Sequence, residues 1–461
     1  MQHVGIGVLP NIKMNRRQLI NALMGFPFFT QLGSACLPRP KIVKGEEWKL
    51  NSGPGQNLNE EDEELLKSAK ANIPKIRMGR LKLKLVSNEK AASGTEFEIR
   101  QIGHEFNFGI MSLPNPDQLG FGIQERERVK RVFNNFTAKC YWNERWHQPI
   151  EKTEDQRIYS GFESEIEEAK QFGMKVKGHP LVWTVPKALP EWLKNYSNEK
   201  RLEILLNHVE DMVVKYKGKV EMWDVCNEFL WEPSLNHTEQ RKWPHIETIS
   251  EILTYLEPAM KRIRKADSQA RLVLNDYGLE KDYRSEISAR QQRERYVELV
   301  AEMKNRGIAP DAIGTQCHVA EPFSMRQIQT CLDHLASADL PLQITEFWAK
   351  THSKESDANE KTLQYIQNAY TLGFGHPKME LFTYWGGDLF QKNGAPGSKF
   401  EVLEKLIAGE WATKVSFQTN EAGQFETKAF YGSYHILSSG KKVADFVFSK
   451  KKDGEEIVIR I

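Results

Sequence analysis

From Phe106 to about Leu406 the chain changes character again and again, between short apolar runs of strand type and longer stretches with helical periodicity. The runs begin near Phe106, Phe136, Lys175, Val220, Arg271, Ala312, Leu342 and Met379. The helical stretches between them include 158–172, 199–216, 249–265, 290–306 and 360–372. A strand followed by a helix and another strand is a parallel crossover unit. Eight such strands at roughly 30–45-residue spacing predict a (β/α)8 TIM barrel over residues 103–408.

The flanks carry a different pattern. Arg80-Leu81-Lys82-Leu83-Lys84-Leu85-Val86 alternates strictly, and Thr95-Glu96-Phe97-Glu98-Ile99-Arg100 does so again. With Ser93-Gly94 between them, the pattern predicts a β-hairpin over 79–102 with one wet face. Short strand-like runs without helices return at 414–418, 424–430, 434–437, 444–449 and 456–461. The hairpin and this C-terminal tail, 409–461, are expected to join into one small accessory β-module. Such a module braces a barrel or binds sugar. Residues 37–78, with Gly53-Pro54-Gly55 and the acidic run 60–64, read as a linker ending in a short helix.

The first 36 residues resemble an export segment. Arg16-Arg17 precedes a mostly apolar stretch to Leu32, and Gly33-Ser34-Ala35 supplies small residues before Cys36. The expectation is a secreted, periplasmic or cell-envelope protein. Cys36 stands where a lipid anchor would attach, although Gly33 occupies a position that lipoprotein signals fill with an aliphatic residue. The five cysteines form no CxxC pair, which argues against a zinc knuckle or a disulfide scaffold. A formal net charge of +2 gives no bulk attraction to nucleic acid or anionic membrane, and a monomer is expected.

Two glutamates carry the chemistry. Glu228 closes the run 220–228 and Glu346 closes 342–346. An Asn-Glu pair recurs elsewhere in the chain, so the strand before Asn227-Glu228 is what singles it out. Two carboxyls at the C-terminal ends of separated barrel strands suit glycoside hydrolysis, in which one protonates the leaving oxygen and the other attacks the anomeric carbon or activates water. Other strand ends bring His179 and Trp183, Asn275 and Tyr277, Gln316 and His318, and Trp385 to the same face. Only His179 and His318 qualify as metal ligands there, so no metal and no cofactor is expected. A carbohydrate-binding barrel without catalysis would keep the aromatics and lose a glutamate, whereas both glutamates are present.

Gly178-His179-Pro180-Leu181-Val182-Trp183, Trp223-Asp224-Val225-Cys226-Asn227-Glu228 and Ile344-Thr345-Glu346 resemble three hallmark stretches of glycoside hydrolase family 10, the endo-β-1,4-xylanase family. Asn275-Asp276-Tyr277 and Gln316-Cys317-His318 are similar to two more, and the likeness covers about residues 104–407. The resemblance implies a retaining enzyme acting on xylan or a related β-linked plant polysaccharide. Glu228 would be the acid/base and Glu346 the nucleophile, with carboxyls about 5–5.5 Å apart. It further implies that Asn227 binds the sugar 2-hydroxyl, that His318 and Gln316 support the nucleophile, and that His179, Trp183 and Trp385 line the subsite before the cleaved bond. A cis His179–Pro180 bond is also implied. The chain departs from the family at 136–142, where a sugar-gripping Glu-Asn…Met-Lys-Trp stretch is missing. It departs again at Thr184, Gly278 and Trp348, which replace a histidine, an asparagine and an aspartate often found there.

Overall fold

The computed structural model describes residues 58–461 apart from 88, 115–120, 144–146, 233–234, 236–245, 319–322 and 350–357. The export segment and Cys36 therefore lie outside the described residues. Among those described, the chain opens with helix α1 (Glu60–Ile76). Asn59 caps it by accepting the Asp62 N–H at 2.8 Å, and four acidic residues in its first turn face the positive end of the helix dipole. The acidic run is thus a helix start and not a linker. At seventeen residues, α1 is longer than expected. Leu66, Ala69 and Ile73 are buried in the main core.

Strands β1 (Met78–Ser87), β2 (Lys90–Ala91) and β3 (Glu96–His104) follow. The barrel then runs through β4 (Asn107–Ile110), α2 (Ile123–Val132), β5 (Asn135–Lys139), α3 (Ser160–Gln171), β6 (Lys175–His179) and α4 (Asn198–Lys215). It continues through β7 (Met222–Asn227), α5 (Ile249–Ala266), β8 (Arg271–Asp276), α6 (Ala289–Asn305) and β9 (Ala312–Thr315). It is completed by α7 (Met325–Ala336), β10 (Leu342–Phe347), α8 (Ala358–Gly375), β11 (Met379–Tyr384) and α9 (Ser398–Glu404). The strands from β4 to β11 pair in chain order, all parallel, and β11 closes back on β4. This is the (β/α)8 barrel the alternation predicts. Helix α1 adds to its outer layer by docking on α7 and α8. Asp62 accepts the Arg326 N–H at the start of α7 (3.1 Å), and Arg77 donates to three carbonyls around the α8–β11 turn, those of Phe374, His376 and Met379.

The tail forms β12 (Lys414–Gln418), β13 (Gln424–Phe430), β14 (Gly432–Ser438), β15 (Lys441–Phe448) and β16 (Glu456–Arg460). The expected hairpin over 79–102 is not formed. β1 pairs with β13 and β16 in one sheet, while β3 pairs with β12 and β14 in another, which β15 completes. Only Val86–Ser87 turns back, onto Lys90–Ala91. The two alternating strands instead bury their apolar faces in a shared core, Leu81, Leu83 and Leu85 from one sheet and Phe97 and Ile99 from the other. Alternation reports one dry face per strand and is silent about which strand lies alongside.

Candidate active site

Each barrel strand ends where its backbone leaves the sheet, and the C-terminal ends gather the polar groups. Gly178 on β6 has no room for a side chain, because a Cβ there would lie 2.3 Å from the Trp223 ring. That close approach lets β6 and β7 run side by side and brings His179 near Asp224. His179 Nδ1 lies 2.8 Å from Asp224 Oδ2, while Lys177 Nζ lies 2.8 Å from the other oxygen. Burial works against the Asp224 charge, but Lys177 and His179 outweigh it and hold the carboxyl below its usual range. The His179–Pro180 peptide is cis.

Glu228 leaves β7 with φ of 61°, a left-handed conformation that costs a non-glycine residue about 1 kcal/mol or more and recurs at functional sites. Its N–H donates to Asn275 O (2.9 Å), and the turn after it is pinned by Asp276, which accepts the Leu230 N–H at 2.7 Å. Trp183 Nε1 donates to Glu228 Oε2 (2.8 Å) and Gln316 Nε2 to Oε1 (3.1 Å). Asn227 Oδ1 accepts from both Asn275 (2.9 Å) and Gln316 (3.3 Å). With its oxygen committed, the amide NH2 is the end that can meet a ligand.

Glu346 on β10 is gripped from other strands. Asn275 Nδ2 donates to Oε1 (2.8 Å), and His318 Nε2 lies 2.8 Å from Oε2. His179 Nε2 approaches Oε1 at 3.9 Å. Thr345 in turn donates to Asn275 Oδ1 (2.6 Å), which fixes that carboxamide.

The two carboxyls are driven apart electrostatically. Burial raises Glu228, the charge of Glu346 raises it further, and the hydrogen bond from Gln316 only partly offsets this, so Glu228 titrates above its usual range. Burial also pushes Glu346 upward, but the hydrogen bond and charge of His318, with His179 behind, overcome it and Glu346 titrates low. The surroundings thus favour the protonated form of Glu228 and the ionised form of Glu346.

Both carboxyls line an open cleft of about 710 Å³. His179, Trp183, Asn227, Tyr277, His318 and Trp385, all expected at the site, line it as well. Trp385 and Tyr141 each present a ring edge-to-face with His179, at 5.4 and 5.8 Å. Asn275 and Gln316 sit fully buried beneath and orient the others. One expected role changes. The Gln316 side chain serves Glu228 and Asn227, and Asn275 is the amide that holds Glu346; Gln316 meets Glu346 only through its main-chain carbonyl, at 3.1 Å. Gln316 is anchored by its N–H on Asp276 O at the end of β8 (2.8 Å), and its side-chain amide reaches the residues that end β7. Sequence reasoning did not single out His147, Lys187, Glu232 or Tyr283, which also line the cleft. Lys187 and Tyr283 sit in loops that follow β6 and β8, and that position was the available signal. Trp142 is not at the cleft; it is buried and stacks on His208 at 4.4 Å. Among the described residues no cluster suited to a metal ion occurs.

The structural departures are accommodated locally. Gly278 has φ of 64°, and a Cβ there would come within 3.1–3.3 Å of Trp231. Trp348 donates to Asp388 (3.3 Å), over a Gly386 that leaves its indole room.

The profile of glycosyl hydrolase family 10 matches residues 102–390. Among relatives, an endo-1,4-beta-xylanase 2 of Arabidopsis thaliana is 25% identical over 385 residues, covering 80% of this chain and 33% of that protein. The anti-sigma-I factor RsgI6 of Acetivibrio thermocellus is 23% identical over 385 residues, covering 80% of this chain and 46% of its own length. The chain therefore spans less than half the length of these two relatives. The crystal structure of xylanase 10B from Thermotoga maritima superposes with a TM-score of 0.52 at 22% identity, covering 66% of this chain and 95% of that one. The xylobiose complex of xylanase 10B from Thermotoga petrophila gives 0.51 at 24% identity, again over 66% of this chain and 95% of that one. At these identities the structural likeness is one of fold. With a family match that spans well over half of its residues, the chain belongs to glycosyl hydrolase family 10.

Proposed function

We propose that the protein is a retaining endo-β-1,4-glycosidase acting on xylan or a closely related plant polysaccharide. The observation that carries this reading is the placement of two carboxyls in one cleft, half-buried Glu228 held by Trp183 and Gln316 and buried Glu346 held by Asn275 and His318. Their surroundings favour the protonated form of the first and the ionised form of the second. Names of relatives in the family add support for xylan.

In the first step Glu346 attacks the anomeric carbon and the glycosidic C–O bond breaks. Glu228 gives its proton to the departing oxygen. Glu346 is then esterified and uncharged, so one of the causes that raise Glu228 disappears and Glu228 becomes more acidic. As a carboxylate it takes a proton from water, and that water attacks the anomeric carbon from the face the leaving group vacated. Glu346 departs as the carboxylate and Glu228 is protonated again. The Asn227 NH2 meets the sugar 2-hydroxyl, and His318 with Asn275 keeps Glu346 oriented.

Incubation with a panel of plant polysaccharides, followed by oligosaccharide analysis and NMR of the freshly formed anomer, tests this. Release of xylo-oligosaccharides with retained β-configuration is expected; inversion, or no cleavage of any β-1,4-linked glycan, would refute it. We also propose that residues 1–36 direct export, on the twin arginine and apolar run alone. N-terminal sequencing of secreted material that began before residue 30 would reject that.

A further inference from the structure

Lys187 is the ammonium among the described residues of the cleft. It sits in a 3-10 turn, Pro186–Ala188, after β6. The turn is built rather than loose. Ala188 N–H donates to Val185 O (2.9 Å), Asn143 N–H donates to Ala188 O (3.0 Å), and the Asn143 side-chain amide reaches the carbonyls of Lys187 (3.3 Å) and Leu189 (3.2 Å). The loop after β5 thus fixes the backbone that carries the lysine. Lys187 Nζ lies 4.7 Å from the centroid of the Trp183 ring, and Trp183 Nε1 donates to Glu228 Oε2. Tyr141 touches the same indole at 5.6 Å.

We infer that Lys187 is a positioning residue for the acid/base: its ammonium, seated on Trp183, fixes the indole whose N–H holds Glu228 and places a positive charge on that wall of the cleft. The inference rests on the reading of Glu228 as acid/base. A cation over an indole is attracted to the ring and reinforces its N–H as a donor. The same charge favours the carboxylate that Glu228 becomes once it has given up its proton.

Other groups face Glu228 from every side. His179 and Trp183 come from β6 and its loop, Asn227 and Glu232 from β7 and beyond. Asp276 and Tyr277 come from the end of β8, Gln316 and His318 from β9, and Glu346 from β10. Among the charges that act on Glu228, Glu346 pushes its proton affinity up and Lys187 pulls it down. Burial and Glu346 alone would make Glu228 a reluctant acid. The hydrogen bonds from Gln316 and Trp183, with the charge of Lys187 behind the indole, keep it able to protonate the departing sugar oxygen in the step described above.

The test is a carboxyl carbon-13 NMR titration of Glu228 in the wild type and in Lys187→Met and Lys187→Arg variants, with kcat and KM on an unactivated xylo-oligosaccharide measured alongside. Loss of the charge is expected to move the Glu228 midpoint up by roughly half a pH unit or more, and the alkaline limb of kcat/KM with it. At neutral pH kcat should fall about 2- to 3-fold with little change in KM, and Lys187→Arg should restore both readouts. An unmoved Glu228 midpoint, an arginine variant as impaired as the methionine one, or an effect confined to KM would overturn the inference. The titration needs no substrate. A wild type that cleaves nothing while the midpoint still moves would overturn the proposed function and support the coupling.

Discussion

His208 gives the chain a calculable acid sensitivity. It lies on α4, fully buried, with its ring stacked on Trp142 at an interplanar angle of 9° and neither ring nitrogen hydrogen-bonded among the described residues. Burial, with the nearby charge of Arg157, lowers its pKa from 6.5 to about 3. The folded protein therefore keeps His208 neutral at any ordinary pH, while the unfolded chain takes up a proton below about 6.5. Stability from this group is complete above that value and is lost as pH falls toward 3. Between pH 7 and pH 5 the loss works out at about 2 kcal/mol. Replacing His208 with phenylalanine keeps a flat ring on Trp142 and removes the proton. The larger ring costs about 1–3 kcal/mol of overpacking at neutral pH. What matters is the slope, because the variant should lose about 2 kcal/mol less than wild type between pH 7 and pH 5. Urea unfolding at the two pH values, followed by near-ultraviolet circular dichroism, measures this. Equal slopes in the two proteins, or a folded-state NMR titration of His208 near 6.5, would refute the reasoning.

Other consequences are as direct. His104, half-buried and lowered to about 4, adds a second loss of about 2 kcal/mol over the same interval, readable as a shallower pH slope in His104→Phe. Glu346→Ala should abolish turnover. Glu228→Ala should still form the glycosyl-enzyme from substrates with activated leaving groups and then stall, and azide should rescue it to a β-glycosyl azide; an unaffected kcat in either variant would unseat the two-glutamate assignment. Gly278→Ala, forced to φ of 64° and against Trp231, should destabilise by about 1–2 kcal/mol in a thermal melt. Asp62→Ala removes the acceptor for the Arg326 N–H at the start of α7 and should cost about 1 kcal/mol, measured the same way.

The barrel was legible because buried parallel strands are short apolar runs bounded by helices, a signal each segment carries alone. The runs expected near Lys175, Arg271, Ala312, Leu342 and Met379 begin there in the structure. Helix α2, with the sequence IQERERVKRV, was not singled out, because Val129 and Val132 are the only residues it buries and leave too thin an apolar stripe to read. Strand partnership was illegible at 79–102, since pairing is decided by strands more than 300 residues away. At the site, the types and strand ends of Glu228, Glu346, His179 and His318 could be read from the chain. That the Asn275 side chain, and not that of Gln316, holds Glu346 could not, because it depends on stagger between neighbouring strands. Lys187 escaped because a lysine in a loop looks like any solvated lysine until the turn beneath it is seen.

The sandwich places strands made before the barrel beside strands made after it. Lys82 on β1 stands opposite Glu456 on β16, across some 370 residues of intervening chain. A ribosome adding about 5–20 residues per second needs roughly 20–75 s to cover that distance. For most of that interval, until β12 and β13 are made, β1 and β3 lack the C-terminal strands they pair with, and Leu81, Leu83, Leu85, Phe97 and Ile99 miss most of the core they share. The nascent protein thus carries two sticky, unpaired strand edges while its barrel is being made. The lysines and arginine that alternate with those leucines, Arg80, Lys82 and Lys84, are the residues that keep such an edge in solution until the C-terminal strands arrive.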